Sequence, residues 1–239
     1  MATGIVSIAS DRAGFHTIAV TLLWLNAAQF LVLWILTLWR LLRYRRDFIT
    51  DLTDHRSAPG FLSAVAATGV MANQLLLAGA FNLALGLWFF GIFLWITLTY
   101  TIFAKLTIME TKPTIDQGIT GAWLLAVVST QAISLLSALL ARHISQPLRL
   151  DLNFLALSML LWGGMMYISI ISLIFYRYMF FKFSPADFVP SYWINMGAMA
   201  ISTLAGSVLI ENAADAWFLD ELLPFLKGCT IFFWAAGTW

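Results

Sequence analysis

The chain has 239 residues, of which 61% are apolar and only 10% charged, against about 25% charged in an ordinary soluble domain. Such a composition leaves no polar coat for a soluble enzyme. A net charge of +1 and a mean hydropathy of +0.87 exclude disordered, collagen-like and nucleic-acid-binding classes and make the lipid bilayer the solvent.

A charged group at bilayer depth costs about 2.5 to 3.5 kcal/mol on insertion scales, so the gaps between charges mark candidate spans of ~20 residues. Segment 1–10 is apolar and helix-like but meets Asp11 and Arg12 after half that length, so it cannot cross alone. Segment 15–39 is a full span, followed by the basic stretch from Arg40 to Arg46, which reads as a cytoplasmic anchor. Residues 60–104 carry no charge over 45 positions, too many for one helix, and the turn signal Gly79-Ala80-Phe81-Asn82 divides them into 60–80 and 82–104. Segments 118–141, 152–176 and 188–210 complete six full spans; segment 221–239 lacks the polar flank that closes the others. The expectation is one transmembrane domain, 1–239, with both ends cut through a helix of a larger bundle.

If the spans alternate, nine Lys and Arg (Arg40, Arg43, Arg45, Arg46, Arg56, Lys105, Lys112, Arg177 and Lys182) share one side and three (Arg12, Arg142 and Arg149) the other. The richer side is then cytoplasmic, and Met1 with it, in a multi-pass protein of a prokaryotic inner or plasma membrane.

Counting the half-segment as first, the even segments hold eight of the 11 tryptophans: Trp24, Trp34, Trp39, Trp88, Trp95, Trp162, Trp234 and Trp239. The odd ones carry small residues every fourth position: Ala64, Thr68 and Ala72; Ala122, Ala126, Thr130, Ser134 and Ala138; Ala198, Ser202 and Gly206. Aromatic bulk suits an outer, lipid-facing ring and small stripes an inner one. The odd segments also resemble one another near their starts, in Ala2-Thr3-Gly4-Ile5, Ala67-Thr68-Gly69-Val70, Ile119-Thr120-Gly121-Ala122 and Asn195-Met196-Gly197-Ala198. Repeats that all enter from one side are parallel repeats about an axis along the membrane normal, which leaves a central cleft or pore between the inner helices.

All 12 carboxylates sit in connections or at segment ends, as do His16, His55 and His143, so neither a buried proton relay nor a haem ligand pair is expected. The lone Cys229 excludes a disulfide framework and any multi-thiolate metal site, and no cofactor or metal is expected. Uncharged polar groups remain on the odd segments. Candidate pore-lining or anion-binding residues are Thr3, Gly4, Thr68, Gly69, Asn73, Gly121, Thr130, Gln131, Ser134, Asn195, Gly197 and Ser202. Their hydroxyls, amides and exposed backbone could replace part of an anion's hydration; the same groups could equally hold neighbouring helices together.

Four stretches together resemble one known family: residues 1–9 (MATGIVSIA), 121–131 (GAWLLAVVSTQ), 192–199 (YWINMGAM) and 232–239 (FFWAAGTW). The family is the tellurite-resistance/C4-dicarboxylate transporters, which include plant slow anion channels, fungal malate permeases and sulfite pumps. The resemblance implies an all-α integral membrane protein with helical hairpins quasi-symmetrically around a central pore, odd helices inside and even helices facing lipid. It also implies ten helices, a homotrimer, and transport of a small anionic solute such as a C4-dicarboxylate, tellurite or sulfite. The family's gating phenylalanine has no matching position here. Arg142 and Arg149 outside and the basic loops inside are expected to draw anions in. Two other classes stay open on the residues alone: a lipid-modifying membrane enzyme using His16, His55, His143 or Asp54, and a seven-helix sensor.

Overall fold

A computed structural model describes residues 1–182, 184–187 and 189–238, apart from the side chain of Ala186. Trp239, counted among the aromatics of the last segment, and residue 188, the expected start of the seventh, lie outside the described residues.

Eight helices carry the fold: α1 (Ala2–Arg12), α2 (His16–Arg43), α3 (Ala58–Leu77), α4 (Phe81–Ile108), α5 (Gly121–Ala141), α6 (Leu148–Phe180), α7 (Pro190–Glu211) and α8 (Leu223–Gly237). Six of them, α2 to α7, are long and apolar enough to cross a bilayer. A short helix, Arg45–Leu52, follows α2, and an ion pair between Arg40 and Asp51 folds it back against the end of α2. The even helices outrun the charge-free segments. α2 continues through Arg40 and Arg43, whose long side chains reach the interface and complement the helix dipole, and α6 continues through Arg177, whose charge complements the dipole of its last turn.

Each odd helix packs on the even helix that follows, giving four hairpins: α1–α2, α3–α4, α5–α6 and α7–α8. The first two close alike. Gly14 and Gly79 take φ +85° and +79°, a left-handed conformation that only glycine adopts without cost. Beside them Phe15 N donates to Ser10 O at 2.9 Å and Ala80 N to Leu75 O at 2.8 Å, the Schellman closure. Gly14 and Gly79 stand 65 residues apart, the spacing of Gly4 and Gly69, so both features belong to one repeat.

The odd helices then pack on one another in chain order, α1 on α3, α3 on α5 and α5 on α7, as an inner arc. The even helices lie outside it. The most apolar stretch of α5 is 89% buried, that of α2 only 11% and that of α4 22%. Trp24, Trp39 and Trp234 face the lipid side, but Trp88 and Trp95 turn inward, because their indole N–H groups donate to Ser137 Oγ at 2.8 Å and Thr130 Oγ1 at 2.9 Å. A buried indole needs that partner.

Candidate functional site

Three of the four repeated glycines form a register. A Cβ built on Gly4 would stand 2.5 Å from Val70 Cγ1 of α3, and one on Gly69 would stand 3.0 Å from Ala132 Cβ of α5. On Gly121 it would strike the Ser191 carbonyl and stand 2.6 Å from Tyr192 Cα, at the entry of α7. Each glycine thus admits the next inner helix of the arc, and small surfaces are what allow backbones to approach in lipid. Gly197, the fourth, meets nothing within 4 Å.

The every-fourth-residue stripes have a different use. Thr68 Cγ2 lies 3.8 Å from where a Cβ on Gly91 of α4 would be; Ser134 Oγ donates to Ala156 O of α6 at 2.7 Å; Gly206 faces Thr230 of α8. Each stripe therefore forms the seam of its own hairpin. Most of the candidate polar groups are engaged there. Thr3 Oγ1 donates to Gln29 Oε1 of α2 at 3.0 Å, and Thr130 Oγ1 accepts from Trp95 while donating to Ala126 O. Gln131 Nε2 donates to Leu160 O of α6 at 3.1 Å, lying over Gly163. Thr68 and Ser202 bond carbonyls of their own helices, Ala64 O and Ala198 O. Asn195 sits half-buried in the second turn of α7.

Gly69 and Asn73 stand apart from this set. With Val70 of α3, Ala132, Leu135 and Leu136 of α5 and Ile201 of α7 they line a cavity of about 20 Å³ where three inner helices meet. That volume suits about one water. Five of these seven residues are apolar and were not among the candidates, because a polar residue is conspicuous in sequence and an inward-facing leucine is not.

At the end of the bundle where α5 leaves, a polar network ties α5, α6 and α7. Asn212 Nδ2 donates to Ala138 O and Asn153 Oδ1, both at 2.8 Å, while its Oδ1 accepts from Arg142 Nε at 2.8 Å. Arg142 also pairs with Glu211 at 2.5 Å and Arg149 with Asp215 at 3.0 Å. The expectation that these two arginines draw anions is corrected: each is matched by a carboxylate, so their joint charge is cancelled locally.

At the opposite end, where α5 and α7 begin, Arg177 is only 7% exposed. Its Nη1 donates to Ile119 O at 2.7 Å and Tyr192 Oη at 2.6 Å, joining the entries of the two helices beside the Gly121–Ser191 approach. Thr120 Oγ1 accepts from Ala122 N at 3.3 Å and caps the α5 entry. The groups held open for an enzyme are dispersed: His16 pairs with Asp11 at 2.8 Å, His55 lies against Trp123, His143 against Phe81, and Asp54 caps the Ala58–Phe61 turn through Ser57.

Two uncharacterized membrane proteins of Mycobacterium tuberculosis, from strains CDC 1551 / Oshkosh and ATCC 25618 / H37Rv, are each 38% identical to the chain over 74 residues. That stretch is 31% of this chain and 37% of the length of each relative. No solved structure matches the chain. The family model of the voltage-dependent anion channels matches residues 1–239, the whole of an all-helical, multi-pass chain, and the protein belongs to that family.

Proposed function

We propose that the protein passes small anions across the membrane along the axis between α3, α5 and α7, with no covalent chemistry. The observation that carries this reading is the inner arc itself: parallel helices, glycine set against neighbour, with every carboxylate at a helix end or in a connection. A cation path or proton relay at bilayer depth needs such carboxylates. The Asn73 amide offers a neutral donor, which replaces hydration without holding an anion too tightly to leave.

The 20 Å³ cavity is smaller than a dicarboxylate or an oxyanion such as tellurite or sulfite, so conduction requires Leu136 and Ile201 to part. An apolar constriction of this kind closes a path by excluding water. Asn73 and Gly69 form the wall of the path on this reading. Gly4 and Gly121 set the spacing of the arc, and Thr3, Thr68, Thr130, Gln131, Ser134 and Ser202 hold its seams. Asn195 and Gly197 belong to the entry of α7, where Gly197 opens to space. The surplus of Lys and Arg in the connections preceding α3, α5 and α7 supports a cytoplasmic position for that end, with the start of α1, in the cell membrane.

Flux of radiolabelled succinate, sulfite and chloride into proteoliposomes tests the reading. Anion uptake that falls in Asn73→Leu and rises in Leu136→Ala supports it; uptake of potassium in preference to any anion sinks it. Mass photometry of the same preparation reads the homotrimer expected from the family resemblance.

A further inference from the structure

Around the entries of α5 and α7, three connections converge on a cleft of about 300 Å³. Arg56 from the connection before α3, Arg177 from the last turn of α6 and Lys182 beyond it bring three cations to its lining, against the carboxylates of Asp116 and Asp187. Arg56 lies more than 100 residues before Arg177 and Lys182, so no basic run in the sequence marks the three together. Arg177 forms the floor, its guanidinium fixed by the bonds to Ile119 O and Tyr192 Oη. Arg56 and Lys182 are exposed on the rim. Arg56 Nε donates to the Gln117 carbonyl at 3.4 Å, and among the described residues neither Arg56 nor Lys182 makes an ion pair.

Asp187 indicates what the floor accepts. Its Oδ2 is held by the Ser184 backbone N–H at 2.9 Å and hydroxyl at 2.7 Å, which leaves Oδ1 3.8 Å from Arg177 Nη2, an ion pair without a direct hydrogen bond. A carboxylate tethered elsewhere already stands over the guanidinium, at a distance that a mobile anion could shorten.

We infer that this cleft binds an oxyanion, a phosphate, sulfate or carboxylate group carried between Lys182 and Arg56 onto Arg177, in competition with Asp187. A planar guanidinium with two flanking cations is the donor set such groups take. Because Arg177 holds both inner-helix entries, the bound anion acts on the α5–α7 joint. The inference stands on the geometry of the cleft and does not depend on flux through the bundle.

Inorganic phosphate titrated by calorimetry into the full chain, in phosphatidylcholine nanodiscs, tests it. Saturable binding is expected, weakened at least tenfold in Lys182→Gln and in Arg56→Gln and tightened severalfold in Asp187→Asn. These are surface positions whose exchange leaves the Arg177 floor in place. Absence of saturable binding, or a Kd unchanged in both glutamine variants, overturns the inference. Nanodiscs containing phosphatidylglycerol distinguish the source. Phosphate binding that persists there assigns a soluble anion. Phosphate binding lost there in parallel with lipid retention by the wild type, but not by the glutamine variants, assigns a lipid headgroup. Equal retention by wild type and variants, with phosphate binding lost, overturns the site. The readout is binding alone, so a protein that binds phosphate and passes no anion refutes only the proposed function.

Discussion

Replacing Gly121 by alanine should cost far more than its single methyl group suggests. The new Cβ would strike the Ser191 carbonyl and stand 2.6 Å from both Ser191 C and Tyr192 Cα. These are backbone atoms, so no side chain can swing aside, and restoring ordinary contact at 3.4 Å to all three moves the start of α7 by about 1 Å. Tyr192 moves with it, and its 2.6 Å bond from Arg177 lengthens past hydrogen-bonding range. Overpacking costs about 1 to 3 kcal/mol, and a weakened bond to a buried guanidinium about 1.5 to 3 kcal/mol more. Better helix propensity returns at most about 1 kcal/mol, for a net loss of about 3 kcal/mol. The control is Gly197→Ala, which meets nothing within 4 Å and should be neutral or slightly stabilising. Thermal unfolding of both variants in the same detergent is the assay. Equal melting temperatures for the two would refute the reading of Gly121 as the point where α5 and α7 backbones meet.

Asn212→Ala removes three hydrogen bonds, one of them to the Arg142 guanidinium, and should destabilise by about 3 kcal/mol in the same melt; a loss below about 0.5 kcal/mol would mean the network is solvated and idle. Gly163→Ala places a Cβ 2.5 Å from Gln131 Nε2, pushing that buried amide off Leu160 O at a cost of about 1 to 3 kcal/mol. Adding Gln131→Ala should then cost less than it does in the wild type, since the two side chains share one space. Hydrogen bonds from the Ser184 hydroxyl and N–H, and more weakly Arg177, hold the Asp187 carboxyl below its ordinary 3.8. A lowered folded value stabilises fully above the ordinary carboxylate pKa and is lost as pH falls through the folded one. Proteolysis between α6 and α7 should therefore rise only below about pH 4, and that step should vanish in Asp187→Asn.

The alternation of inner and outer helices was legible because lipid-facing and helix-facing surfaces demand different residue sizes, and the glycine register because close backbone approach admits little else. Which neighbour each surface meets was not legible. The stripe through Thr130 and Ser134 has the spacing of any packed helix face, and only the fold shows that it meets Trp95 and Ala156. The wall of the inner cavity is mostly apolar, so Asn73 stands out in the sequence as a polar donor while Ala132, Leu136 and Ile201 do not. Arg142 and Arg149 looked like free charges because Glu211 and Asp215, which neutralise them, lie more than 60 residues away in the chain. Arg177 counted as a loop charge for topology, yet it is buried because two inner-helix entries close over it.

On the proposed reading the inner arc passes anions past an apolar constriction. The most direct test of that reading is the ratio of anion to cation permeability in planar bilayers holding the wild-type protein and the Leu136→Ala, Ile201→Ala double variant. Anion-selective current is expected in both, with a larger one in the variant. Cation-selective current, or a double variant that conducts no more than the wild type, would contradict it.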